Sequence, residues 1–222
     1  MSITTIVIGE SGTGKSASMR NLLPSDTLLI QSVKKPLPFR SSQWRRIETG
    51  QPTGGNIFVC DQSERIIKYM QRTTRKIIVL DDFQYILANE FMRRSAETGF
   101  QKFSDIGRHA WDILTAAAHL PDDVRVYILA HSQSDEFGNT KLKTIGKLLD
   151  EKITVEGMVS IVLRTLVRDG QYQFSTRNSG NDTVKTPMGL FEDEQIDNCL
   201  ANVDKAICDY YGLEVQTLKA AA

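Results

Sequence analysis

Ile3-Thr-Thr-Ile-Val-Ile-Gly9-Glu10-Ser11-Gly12-Thr13-Gly14-Lys15-Ser16 carries the strongest structural signal in the chain. Its first residues are apolar or β-branched, the pattern of a short buried strand. The remainder follows the spacing Gly-x4-Gly-Lys-Ser. Glycines let the backbone turn so that several N–H groups face one anion, and a helix spanning about 15–23, ended by Pro24, adds its partial positive charge. Strand, glycine loop and helix in this order predict a cradle for a nucleoside triphosphate. Gly9, Glu10, Ser11, Gly12, Thr13, Gly14, Lys15, Ser16 and Ala17 are the expected binding residues. Lys15 would reach the outer phosphates, and Ser16 would place its hydroxyl on Mg2+. A glycine-rich turn without a ligand is the bland alternative. The completeness of the motif in its strand-to-helix frame argues against it.

Further strands are expected at 27–31, 56–60, 76–80 and 124–130, with helices at 63–73 and 84–96 between them. From 100 to 118, Phe100, Phe103, Ile106, Ala110, Trp111, Leu114 and Ala118 recur every three or four residues, which predicts an amphipathic helix. Residues 144–150 read as a short helical stretch. Asp169-Gly170 reads as the turn of a hairpin between 158–167 and 172–176. Strands alternating with helices predict an α/β fold with a mostly parallel sheet covered on both faces, closed by a C-terminal antiparallel hairpin. A chain of 222 residues suits one such core, expected over 1–191, followed by an acidic helical tail over 192–222.

A carboxylate at another strand tip is the usual second half of such a site. Lys76-Ile-Ile-Val-Leu-Asp81-Asp82 supplies it, with Asp81 expected to orient the metal or its water ligand. Asp82 either polarises an attacking water or caps the helix beginning near Phe83; the sequence leaves both open. His131 ends the 124–130 strand, where it either senses the terminal phosphate or serves as a hydrogen-bonded strand end.

Two basic stretches invite a nucleic-acid reading. Lys34, Lys35, Arg40, Arg45 and Arg46 lie in a long loop over 32–55, interleaved with Phe39 and Trp44. Cations on phosphates and rings on bases are the two requirements of single-strand binding. The alternative is a solvated loop with its aromatics in the core. Lys141, Lys143, Lys147 and Lys152 form the second cluster; Lys141 or Lys143 could track nucleic acid, reach the γ-phosphate of a neighbouring subunit, or sit on an exposed surface.

The formal net charge is 0, so bulk charge does not announce a nucleic-acid binder. The halves differ: residues 1–120 hold 16 basic and 11 acidic side chains, residues 121–222 the reverse balance of 11 and 16. Three cysteines without metal-ligand spacing fit a reducing compartment. Neither a signal peptide nor a membrane-length apolar run is expected, which points to a soluble protein.

Asp81-Asp-Phe-Gln-Tyr, Ala88-Asn-Glu-Phe-Met-Arg-Arg94, His131-Ser-Gln-Ser-Asp-Glu-Phe-Gly138 and Lys143-Thr-Ile-Gly-Lys-Leu-Leu-Asp-Glu-Lys152 resemble the ATP-binding proteins of tailed bacteriophages, the RecA-like, Sak-type branch of the phage single-strand annealing proteins. The likeness runs over about 3–191. It implies a RecA-like P-loop core acting in the host cytoplasm, with ATP and Mg2+ as cofactors. It also implies a site between subunits of a ring or filament, single-stranded DNA as substrate, and a single-strand binding protein as partner. Annealing or strand pairing with DNA-stimulated ATP hydrolysis is the implied activity. Lys15 and Ser16 match the family's phosphate and magnesium residues, and Asp81 its Walker B aspartate. The water-activating glutamate has no clear match, Glu90 and Asp82 being the candidates. An ATP-gated assembly or loader protein with little turnover and a small-molecule kinase remain the alternative functions.

Overall fold

The computed structural model describes residues 1–48, 54–145, 149 and 152–213. Much of the 144–150 stretch, Lys147 with it, and the end of the expected tail lie outside the described residues.

The core is a nine-stranded sheet. Its strands are β1 (Ile3–Gly9), β2 (Thr27–Gln31), β3 (Ile57–Val59), β4 (Ile77–Asp81), β5 (Arg125–Ser134), β6 (Thr140–Leu142), β7 (Ile161–Arg168), β8 (Gln171–Ser175) and β9 (Gln195–Asp197). The order across the sheet is β3-β2-β4-β5-β1-β7-β8-β9, with β6 paired to β5. The first six strands of that order run parallel, and β8 and β9 close the far edge antiparallel. The helices are α1 (Ser63–Arg72), α2 (Gln84–Arg93), α3 (Gln101–Ala118) and α4 (Leu200–Tyr211). The expected α/β architecture is therefore present. Among the described residues no helix is long and apolar enough to cross a membrane.

Strand periodicity divides the core into two layers. Ile6, Ile8, Leu28, Ile30, Ile78 and Leu80 face one side, packed with Ile66 and Met70 of α1, Ile86 and Leu87 of α2, and Ile106, Ala110 and Ile113 of α3. Val7, Leu29, Val79, Leu129 and Leu163 face the other, against Met19, Trp44 and the α4 residues Leu200, Val203 and Ile207. The segment read as a tail thus supplies an edge strand and a core helix over its described part. A buried pair pins that helix: Arg125 donates from Nε and Nη2 to Asp204 at 2.9 Å each, and Tyr127 Oη donates to the same carboxylate at 2.6 Å.

Two local expectations change. The helix expected over 15–23 is a six-residue 3₁₀ helix, Ser16–Asn21. Ser18 Oγ donates to the Lys15 carbonyl at 2.5 Å, and such local bonds compete with a regular helical ladder. β5 runs beyond Ala130 to Ser134 and turns into β6. Asp135 Oδ1 accepts from the amides of Phe137 and Asn139 at 2.9 and 2.8 Å and fixes that turn. The Asp169-Gly170 hairpin forms as expected, both residues having positive φ (50° and 75°).

Candidate functional site

β1 is flanked by β5 and β7, and β4 lies on the far side of β5. At ~4.8 Å between strands, the ends of β1 and β4 stand roughly 10 Å apart on the carboxyl edge of the sheet. The loop leaving Gly9 closes that gap: Ser16 Oγ donates to Asp81 Oδ1 at 2.8 Å and Oδ2 at 3.0 Å. Residues 65 apart in sequence are joined because one opens the 3₁₀ helix and the other ends a buried strand.

Close packing fixes the loop. Gly12 and Gly14 have φ of 81° and 95°, a region that L side chains rarely adopt. A Cβ on Gly14 would fall 2.9 Å from Tyr172 Cδ1 and 3.1 Å from Asn198 Oδ1, and one on Gly9 only 1.8 Å from Thr165 Oγ1. Thr13 Oγ1 donates to the Glu10 carbonyl at 2.7 Å and shares a 2.5 Å hydrogen bond with Thr165 Oγ1 of β7. Arg20 Nη1 donates to the Asn198 carbonyl at 2.5 Å, tying the 3₁₀ helix to the start of α4.

Lys15 is buried beneath this loop, and its Nζ donates to the carbonyls of Gly9 at 2.8 Å and Glu10 at 2.6 Å. Burial pulls its pKa down to about 8, against the opposing pull of Asp82 and Asp81. Asp81 moves the other way, pushed up to about 6 by burial and then by the neighbouring Asp82.

Asp82 takes the left-handed conformation, φ 61°. It does not cap α2: that helix has Phe83 at its N-cap and no side-chain capping bond. Its carboxylate instead accepts a hydrogen bond from Lys35 Nζ, and the same ammonium stands 3.6 Å from Asp81 Oδ2. Burial alone would lower the Lys35 pKa; the charge of Asp81 and the bond to Asp82 outweigh it and raise it.

His131 is at the same edge, in register with Gly9. Its Nε2 is 3.8 Å from Asp82 Oδ1, its amide donates to Gln84 Oε1 at 3.1 Å, and Tyr85 meets its ring edge-on. Burial and then the charge of Lys15 lower its pKa, which favours the neutral imidazole. The Lys143 amide donates to the His131 carbonyl at 2.8 Å, which extends the β5–β6 ladder by one step and places that hairpin beside the cluster.

The structure thus brings together Gly9 to Ser16, Asp81, Asp82, His131 and Lys35. It does not bring Glu90 to them: that carboxylate is held by His109 Nδ1 at 2.9 Å and by Arg94 at 3.1 Å, in a separate cluster between α2 and α3. The basic loop residues separate as well. Lys34 and Arg40 are exposed, whereas Arg45 and Arg46 lie against Asn56 and Ile57 at the start of β3, the opposite edge of the sheet. Phe39 and Trp44 pack edge-on, 6.1 Å apart, in the core layer below β2, so the core reading of these rings holds.

Sequence reasoning assigned Lys35 to a DNA surface and missed Gln84, Tyr172 and Asn198. Tyr172 and Asn198 reach the edge through long-range packing that no local pattern marks, whereas Gln84 follows Asp82 by two residues at the start of α2. The Asn198 side chain is buried with neither amide atom hydrogen-bonded, directly behind Gly14.

Among the described residues no group of three or more His, Cys, Asp or Glu side chains suits a metal ion. The Ser16 hydroxyl and Asp81 carboxylate are a different donor set, a few hard oxygens. That set fits Mg2+, which keeps waters and takes one or two protein oxygens alongside phosphates. No family model matches this chain, and no curated protein matches it.

Proposed function

We propose that this protein is a P-loop ATPase of the RecA-like phage type, which binds Mg-ATP at Gly9–Ser16 and single-stranded DNA beside it. The observation that supports it best is the Ser16–Asp81 contact, which joins the glycine loop to a buried strand-tip carboxylate. In this reading the amides of the loop and the Lys15 ammonium hold the phosphates. Ser16 and Asp81 would hold Mg2+, which, when bound, neutralises charge on the outer phosphates.

Lys15 must exchange its two carbonyl partners for phosphate oxygens, and its retained charge at pH 7 suits that exchange. Asp82 and His131 stand 3.8 Å apart on the sheet edge from which the loop departs. Asp82 would orient a water for attack and accept its proton once its bond to Lys35 loosens. The neutral His131 would donate a hydrogen bond to the terminal phosphate or to that water.

The DNA half of the proposal is supported by the resemblance and by the β5–β6 hairpin. That hairpin grows from His131, carries Lys141 and Lys143, and presents Phe137 at its tip, 85% exposed. A ring on a fixed turn beside basic residues suits stacking on an unpaired base. Fluorescence anisotropy of a labelled single-stranded oligonucleotide, with and without Mg-ATP, tests it. Binding that strengthens with Mg-ATP is expected; no binding at low salt in either state would sink the DNA reading.

A further inference from the structure

Lys35 lies outside the glycine motif, four residues beyond the end of β2, yet its ammonium serves both strand-tip carboxylates. Those carboxylates are almost wholly buried, with Asp81 at 1% and Asp82 at 5% exposure. The backbone around Lys35 is held to the same place. Ser32 Oγ donates to the carbonyls of Asp81 at 3.0 Å and Asp82 at 2.7 Å, and Gln31 Nε2 donates to the Lys35 carbonyl at 3.4 Å. Beyond Lys35 the chain next meets the core through the partly buried Leu37 and Phe39. The lysine side chain is 36% exposed, so its flexible stem has a route to solvent.

A divalent cation at Ser16 and Asp81 would compete with this ammonium for the same oxygens, because two cations a few ångströms apart repel. We propose that Lys35 is a displaceable counter-ion: Mg-nucleotide at the site expels it from Asp81 and Asp82 and loosens the segment it anchors. This rests on the Mg-ATP reading above. It makes Lys35 a residue that sets the Mg2+ requirement and couples nucleotide occupancy to residues 32–36, without itself being a phosphate ligand.

The test is a Mg2+ titration of the binding of a fluorescent ATP analogue, combined with amide hydrogen exchange at Ser32. Lys35→Met should lower the Mg2+ concentration at half-saturation about 10-fold, the effect of no longer breaking a charge-assisted hydrogen bond. In the wild type, exchange at the buried Ser32 amide, which donates to the Asp81 carbonyl at 3.4 Å, should rise several-fold on adding Mg-nucleotide. In Lys35→Met and Asp82→Asn it should already be raised without nucleotide.

The wild-type exchange measurement needs no variant, so the proposal stays testable should a variant fold poorly. An unchanged Mg2+ midpoint together with unchanged exchange would overturn the role of Lys35 and leave nucleotide binding intact. Weaker nucleotide binding by Lys35→Met at saturating Mg2+ would also overturn it, because Lys35 would then be a phosphate ligand. Absence of triphosphate binding by the wild type would overturn the nucleotide reading and this proposal together.

Discussion

Replacing Lys15 with methionine should abolish triphosphate binding and cost the protein more stability at pH 10 than at pH 7. Lys15 is 6% exposed. Burial lowers its pKa from 10.5 to about 8. One pKa unit corresponds to about 1.4 kcal/mol, so keeping the ammonium charged at pH 7 costs the folded state roughly 3 kcal/mol. Methionine has a similar unbranched stem and removes that cost. It also removes two charge-assisted hydrogen bonds, to the carbonyls of Gly9 and Glu10, worth about 1.5–3 kcal/mol each. At pH 7 the removed cost and the lost bonds largely offset one another. Between pH 8 and 10.5 the unfolded chain binds more protons at this lysine than the folded one, so this group's contribution to wild-type stability rises with pH. The methionine variant lacks that rise. Its stability relative to wild type should therefore fall by about 3 kcal/mol across the window. Urea denaturation of both proteins at about pH 7 and pH 10, read as the difference between them, measures this. A variant less stable than wild type by the same amount at both pH values would refute the reasoning.

Three further outcomes follow from other contacts. Gly9→Ala drives a Cβ into Thr165, 1.8 Å from Oγ1. Thermal melts should show a loss of about 1–3 kcal/mol, partly recovered by adding Thr165→Ala; a wild-type melting point for Gly9→Ala alone would contradict this. Asp204→Leu leaves Arg125 charged and buried, at a cost of about 3–5 kcal/mol in denaturant titrations, whereas the Arg125→Leu, Asp204→Leu pair should lose much less. Asp81 has its folded pKa raised from 3.8 to about 6, so the folded state binds more protons in that window and its stability from this group falls as pH rises through it. Asp81→Asn should flatten that fall in urea midpoints measured at about pH 4 and pH 7.

The parallel sheet was legible because β1, β2 and β4 are short runs dominated by apolar and β-branched residues, and such runs are buried on both faces. The Asp169-Gly170 hairpin was legible for an equally local reason, the positive φ that its turn requires. The 3₁₀ helix after the loop was not, because the hydroxyl of Ser18 competes for the Lys15 carbonyl in a way the glycine motif does not announce. The strands β6 (Thr-Lys-Leu) and β9 (Gln-Ile-Asp) are as short as β3 but mix polar with apolar residues, so they lack the apolar run that marks β3. The candidate site was half legible. Lys15, Ser16 and Asp81 came from motif and strand tip, and the structure joins them. Lys35 could not be assigned, since its partners are 46 and 47 positions away and only the pairing of β2 with β4 brings them near. Glu90 was drawn toward the site by family expectation and is held elsewhere by His109 and Arg94.

The central claim is that the loop from Gly9 to Ser16 and the tip of β4 form one Mg-triphosphate site. Equilibrium binding of ATP, with Mg2+ present and with it chelated, tests this most directly in wild type, Lys15→Met and Ser16→Ala. Saturable, Mg2+-dependent binding by the wild type is expected, lost in Lys15→Met and reduced to the Mg2+-free level in Ser16→Ala. Absence of saturable binding by the wild type, or equal binding by folded Lys15→Met, would contradict it.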